Sequence, residues 1–275
     1  SGEIIGGGIK EKNFLGKGIN LDTNLQLTPE SVKGIFVYAK PNFNNTDNTL
    51  FTSLKSSTTD LLTDSGYKTS ELGFSIGTKF EQFMNIFLSP EIDFLIEDLE
   101  TSNKASDTLK KQEGSYKDMY FNYTINQDLR DKRFRAESGY QTFFSQEIPL
   151  ISDTAEFANA FEISKYKKLS TKLDTVGKIS FYAKTITGLS DDVRISKRLG
   201  IPSNKLRGFE KGRVGPVDNN DYVGGNHVSA LNLSATLPNI LENLDNLDIG
   251  VFLDAANIWG VDYDSSLDNK STIRT

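Results

Sequence analysis

The sequence predicts an all-β fold, a transmembrane antiparallel β-barrel, from three observations. Apolar and polar residues alternate along most of the chain; most alternating segments run nine residues or more; and short connections tend to alternate with long polar ones. Period-2 alternation is the signature of a strand with one apolar face. Strands of globular proteins cluster near five or six residues, whereas a tilted strand needs about 9 to 11 to cross a bilayer.

Twelve segments carry the pattern: 3–10, 18–27, 33–42, 48–57, 68–80, 84–98, 115–128, 131–146, 154–168, 175–188, 226–238 and 245–258. In the second, Ile19, Leu21, Thr23, Leu25 and Leu27 oppose Asn20, Asp22, Asn24 and Gln26. In the sixth, Ile86, Leu88, Pro90, Ile92, Phe94 and Ile96 oppose Asn85, Ser89, Glu91, Asp93 and Glu97. In the seventh, Met119, Phe121, Tyr123 and Ile125 alternate with Asp118, Tyr120, Asn122, Thr124 and Asn126. From the third strand on, short links such as 81–83 and 129–130 alternate with long polar ones at 99–114, 189–225 and 259–270, although 28–32 is short where a long loop is expected. Short turns on one side and long loops on the other is the layout of outer-membrane barrels. A soluble β-sandwich shares the period, usually with shorter strands. The pattern continues from end to end, so residues 1–275 read as one domain.

Composition fits that frame. A hydrophobic share of 37% is low for a globular core, while 18 Phe and 10 Tyr suit strands with one apolar face. Lys and Arg are not gathered into a stripe and the net charge is −6, which argues against nucleic acid as a partner. With no Cys, the chain has no disulfide, thiolate or Cys-ligated zinc chemistry. No run reaches the roughly 18 to 20 apolar residues of a transmembrane helix, and the N-terminus lacks a signal-peptide layout. Alternation starts at once and the sequence stops where another strand could begin, so a fragment of a larger barrel is expected.

Little in the sequence points to catalysis, to a cofactor or to a metal. His227 is the only histidine, so a catalytic triad would have to use it; a histidine at a loop end is the plainer reading. Asp218 with Asp221, and Asp262, Asp264 and Asp268, lack the spaced ligands of a calcium loop and read as solvated charge. Glu91 and Asp93 would point into a barrel lumen rather than form a glycosidase pair. The glycines at 6–8 precede no helix and read as strand glycines that permit bending.

One segment, KLRGFEKGRVGP at 205–216, looks like neither strand nor turn. Together with GGN at 224–226 and FLDAANIWG at 252–260, it resembles, in order and spacing, the sixth extracellular loop and following strands of the BamA family of outer-membrane barrel assembly factors. KNFLGKG at 12–18 and KPNFNNTDNTL at 40–50 resemble that family's early barrel turns. The resemblance covers nearly the whole chain and implies about twelve strands, the second to thirteenth, of a sixteen-stranded barrel. It implies that the first strand, the last three and the periplasmic POTRA repeats are absent, so that two raw edges remain and the chain cannot insert clients alone.

The resemblance further implies a loop folded back into the lumen and locked by its Arg-Gly-Phe motif. Arg207 would offer a planar fork of donors, Gly208 a sharp backbone turn and Phe209 an apolar wedge. Asp254 lies on the polar face of its strand, opposite Leu247, Ile249, Val251 and Leu253, and matches the family's aspartate partner. Where that family commonly has a second glutamate, this chain has Ser234. Leu206, Gly215, Pro216, Gly224, Gly225 and Asn226 are the supporting positions. The implied location is the bacterial outer membrane, with unfolded barrel clients, accessory lipoproteins acting through the POTRA repeats, and outer-membrane lipids as partners. Within the same superfamily, a TamA-like factor or a two-partner secretion transporter shares the loop; a passive porin and a soluble carbohydrate-binding sandwich are the more distant readings.

Overall fold

The computed structural model describes residues 4–172, 174–238 and 248–261. Its strands are β1 (Ile5–Phe14), β2 (Ile19–Thr28), β3 (Ser31–Lys40), β4 (Thr49–Leu61), β5 (Tyr67–Phe83), β6 (Ile86–Thr101), β7 (Gly114–Asp128), β8 (Gly139–Ser152), β9 (Glu156–Ser170) and β10 (Thr175–Gly188). A two-residue pair follows, β11 (Val217–Asp218) and β12 (Asp221–Tyr222), then β13 (His227–Pro238) and β14 (Asp248–Trp259). Apart from β11 and β12, the strands form one antiparallel twelve-stranded sheet in chain order from β1 to β14. β5 and β6, at 17 and 16 residues, exceed the bilayer requirement and extend beyond it. No helix among the described residues is long and apolar enough to cross a membrane.

The faces are inverted relative to a soluble protein. Leu72, Phe74 and Ile76 of β5, Phe94 and Ile96 of β6, and Val251 and Leu253 of β14 are exposed on the outer face. The inner positions carry small polar groups: Ser53 meets Ser75 and Ser164 meets Ser180, each pair at 2.7 Å between hydroxyl oxygens. A row of large apolar side chains facing outward is stable only against lipid, where each gains about 1.5–3 kcal/mol over exposure to water.

Most of the buried apolar core lies inside the curl of the sheet, between its wall and residues 189–226. Val193, Leu199, Ile201 and Leu206 from that segment pack on Ile186, Val228, Ala230, Ala256 and Ile258 of the wall. The same segment reaches Asp64, between β4 and β5, through Arg213 at 2.5 Å, while the Gly215 backbone lies against Ile258 of β14. One segment can touch β14 and the β4–β5 turn, far apart in sheet order, only if the sheet wraps around it. β1 and β14 are the two ends of that sheet.

Several boundaries differ from the sequence reading: the first and fourth strands run on to Phe14 and Leu61, and the change is largest around the eighth strand. The eighth strand runs 139–152, not 131–146, and the expected two-residue link at 129–130 is a loop spanning 129–138. Asp131 closes that loop by accepting from the backbone N–H groups of Glu137 and Ser138 at 3.0 and 3.1 Å, and Arg135 takes a positive φ of 53°. Residues 147–152, left between the eighth and ninth expected segments, belong to β8 and contain Pro149. The proline is held inside β8 next to a register shift, where an irregular ladder tolerates a missing donor. The turn expected at 81–83 is Met84–Asn85, both at positive φ, because Asn85 accepts that conformation while Phe83 remains in strand. The glycines at 6–8 lie within β1, and Gly8 is needed there: a Cβ would sit 2.7 Å from the Thr23 carbonyl oxygen.

Candidate functional site: an arginine-clamped loop in the lumen

The segment 189–226 leaves β10, folds into the lumen and returns at β13. Its base is closed by Leu199 and Gly225, whose backbones exchange hydrogen bonds of 2.8 and 3.1 Å. Gly224 precedes this bridge at φ +71°, with the Leu199 carbonyl oxygen 2.6 Å from where a Cβ would sit, so a side chain there would break the closure. Buried Pro216 accepts from the Val223 N–H at 3.1 Å, and the Asn226 N–H donates to the Gly260 carbonyl at 2.9 Å.

The structure brings Arg207 and Asp254 together. Arg207 Nε donates to Oδ2 at 2.7 Å and Nη2 to Oδ1 at 2.6 Å, while the Arg207 backbone N–H adds a third bond to Oδ2 at 3.0 Å. The fork-on-carboxylate geometry is the one for which a planar guanidinium is suited. Phe252, one position earlier on the inner face of β14, lies under the guanidinium at 3.6 Å. The Asp254 side chain is 3% exposed and that of Arg207 38%, so the pair is sealed on one side and wet on the other. The hydrogen bond to Asp254 raises the Arg207 pKa.

Two roles read from the sequence are corrected. Ser234 is paired with Phe252, one inner position away from the clamp; the residue opposite Asp254 is Asn232. Its Nδ2 donates to Asp254 Oδ1 and to the Lys205 carbonyl, both at 2.8 Å. Phe209 is 41% exposed and does not wedge into the wall; Leu206, 3% exposed, fills that role because it points into the loop core. Gly208 does turn the chain, at φ +87°.

A second clamp, absent from the sequence reading, lies further along the lumen. Arg194 is 1% exposed and faces Glu97 of β6 at 3.1 Å, Glu156 of β9 at 3.2 Å, and Asp118 of β7 in direct contact. The Tyr116 ring stacks on its guanidinium at 4.3 Å. Around it, Tyr120 Oη donates to Glu156 at 2.9 Å, Thr154 Oγ1 to Glu156 at 2.7 Å, and Ser152 Oγ to Asp118 at 2.6 Å. Burial disfavours the Arg194 charge, yet Glu156, the hydrogen bond to Asp118 and Glu97 outweigh it and raise its pKa. Val193 and Ile195, fully buried on either side, press the arginine into place. The signal was present in DDVRISKRLGIP at 191–202, where apolar residues recur in what otherwise reads as a polar loop.

Smaller contacts tie the rest of the segment to neighbouring loops. Ser106 Oγ donates to Asp218 at 2.5 Å and Asn219 Nδ2 to the Lys104 carbonyl at 2.9 Å. Lys205 contacts Glu162 of β9 and lies over the Tyr182 ring at 5.2 Å. Asp218 is thus engaged with a serine, and burial followed by the Asp218 charge raises the pKa of Asp221. No cluster of three metal-binding side chains exists among the described residues. Asp262, Asp264 and Asp268 lie outside the described residues. Asn122 Nδ2 donates to Asp93 at 2.6 Å within the lumen. His227 begins β13 and stacks on Trp259 at 5.7 Å.

Comparison with known proteins gives a consistent result. The Omp85 superfamily domain matches residues 13–275. The chain is similar to the solved structure of BamA from Haemophilus ducreyi lacking POTRA domains 1–3, with a TM-score of 0.82 and 18% identity, covering 94% of this chain and 56% of that one. It is also similar to CdiB from Acinetobacter baumannii, with a TM-score of 0.56 and 10% identity, covering 95% and 47%. None of the curated proteins matches it.

Proposed function

Because the chain belongs to the Omp85 superfamily, we propose that it is the barrel of an assembly factor that folds and inserts client β-barrel proteins into the bacterial outer membrane. It spans about half of either solved structure, so this activity is a proposal for the protein as a whole. The observation that carries it is a loop folded into the lumen with the Arg207 fork closed on Asp254 of the wall. Arg207, Gly208 and Asp254 act as a structural lock, with Leu206 and Asn232 in support and no covalent chemistry involved. Work comes from client folding and from burial of client side chains in lipid.

The assembly-factor reading is favoured over a two-partner secretion transporter by the closer likeness to BamA, at 0.82 against 0.56 for CdiB. A passive porin is disfavoured by the apolar cluster that the loop builds inside the lumen. Client chains, outer-membrane lipids and accessory lipoproteins are the partners this reading entails. The test is to place Arg207→Ala in the genomic copy and measure folded outer-membrane barrels by heat-modifiable gel mobility. A fall in several unrelated barrels at equal levels of this protein is expected; unchanged barrels would refute the reading.

A further inference from the structure

On the outer face, at the end of the barrel opposite the 189–226 loop, lies an open groove of about 560 Å³ across β9, β10, β13 and β14. Its floor is made by two small residues paired across strands, Gly177 and Ala235. Leu169, Ile179, Leu233 and Val251 form its sides. Gly177 is what keeps it open: a Cβ there would sit 2.8 Å from Leu169 Cδ1. Lys165 and Lys167, both exposed on the outer face of β9, line the same groove. Lys178 does too, but its ammonium lies over the Tyr166 ring at 5.4 Å. Among the described residues, no carboxylate lines the groove.

We propose that this groove binds one phosphate-bearing, net anionic phospholipid, its acyl chain over Gly177 and Ala235 and its phosphate held by Lys165 and Lys167. Charge complementarity selects this occupant. An apolar channel in a lipid-facing wall accepts any acyl chain, but the two outward lysines that line it favour an anionic headgroup over a zwitterionic one. Lysine suits the position because its stem lies along the apolar wall while its ammonium reaches the headgroup level. The inference rests on the membrane-embedded reading and not on client insertion, so insertion is scored separately by flotation of the protein with its vesicles.

The test uses the full chain in phosphatidylcholine vesicles carrying spin-labelled phosphatidylglycerol or spin-labelled phosphatidylcholine, with the motionally restricted fraction read by electron spin resonance. The native chain should restrict phosphatidylglycerol preferentially. Lys165→Gln with Lys167→Gln should reduce that preference, by about fivefold per lysine, without changing the phosphatidylcholine signal. Gly177→Val should reduce the restricted fraction of both lipids by filling the floor. Both sites face outward, so flotation of the variants should match the native chain. An unchanged preference in the lysine variant overturns the proposal. A reduced preference with no effect of Gly177→Val also overturns it, since that outcome means diffuse surface charge. A restricted fraction that falls as the protein-to-lipid ratio rises means that a second copy covers the groove, and again overturns it.

Discussion

The two arginines of the luminal loop are built on opposite terms. Arg194 is sealed among three carboxylates and an aromatic ring, whereas Arg207 grips one carboxylate with part of its guanidinium open to the lumen. The first arrangement is costly to disrupt, because removing the cation leaves buried charges uncompensated; the second is strong by geometry but shares its donors with water. Loop attachment in this barrel is therefore graded. A firm anchor near the start of the segment is followed by a clamp that can be released at lower cost.

Arg194→Ala should have the largest effect. It should destabilise the barrel by about 3–5 kcal/mol, because Glu97, Asp118 and Glu156 would be left facing one another. The check is the denaturant midpoint of the inserted protein, and a shift no larger than that of an outer-face control would break the comparison. Asp254→Asn keeps the shape but removes the charge. It should cost roughly 1.5 kcal/mol, the lower end for a charge-assisted pair because Arg207 is partly solvated, and should speed protease cleavage within 205–216. Asn232→Ala removes two donated bonds at one amide and should cost about 1 kcal/mol, read from the same cleavage rate. Gly208→Ala meets nothing within 4 Å, so only its positive φ is strained, at about 1 kcal/mol. Ser234→Ala should leave every one of these readouts unchanged, which would sharpen the assignment of the cross-strand partner to Asn232.

The wall was legible in the sequence because lipid on one side and a polar lumen on the other impose strict alternation, as in 84–98 and 118–126. Legibility failed where local chemistry overrides period. Residues 131–138 alternate weakly but are pulled into a loop by Asp131, and residues 147–152, with Pro149 among them, belong to β8. The Arg207 and Asp254 pairing was anticipated through the family resemblance, and the place of Asp254 on the polar face of its strand agreed with it. Its neighbour was misplaced by two residues, since cross-strand register decides between Asn232 and Ser234 and alternation puts both on the same face. The Arg194 cluster was missed for a different reason. Its carboxylates come from three strands and share no spacing, so only the fold brings them together.

The most direct measurement of graded attachment is amide hydrogen exchange across residues 189–226 in the inserted native protein, Arg194→Ala and Asp254→Asn. Graded attachment predicts that Asp254→Asn raises exchange only around 205–216, while Arg194→Ala raises it across 193–225, including the Leu199 and Gly225 bridge. Equal exposure in the two variants, or exposure of the whole segment when Asp254 alone is changed, would contradict it.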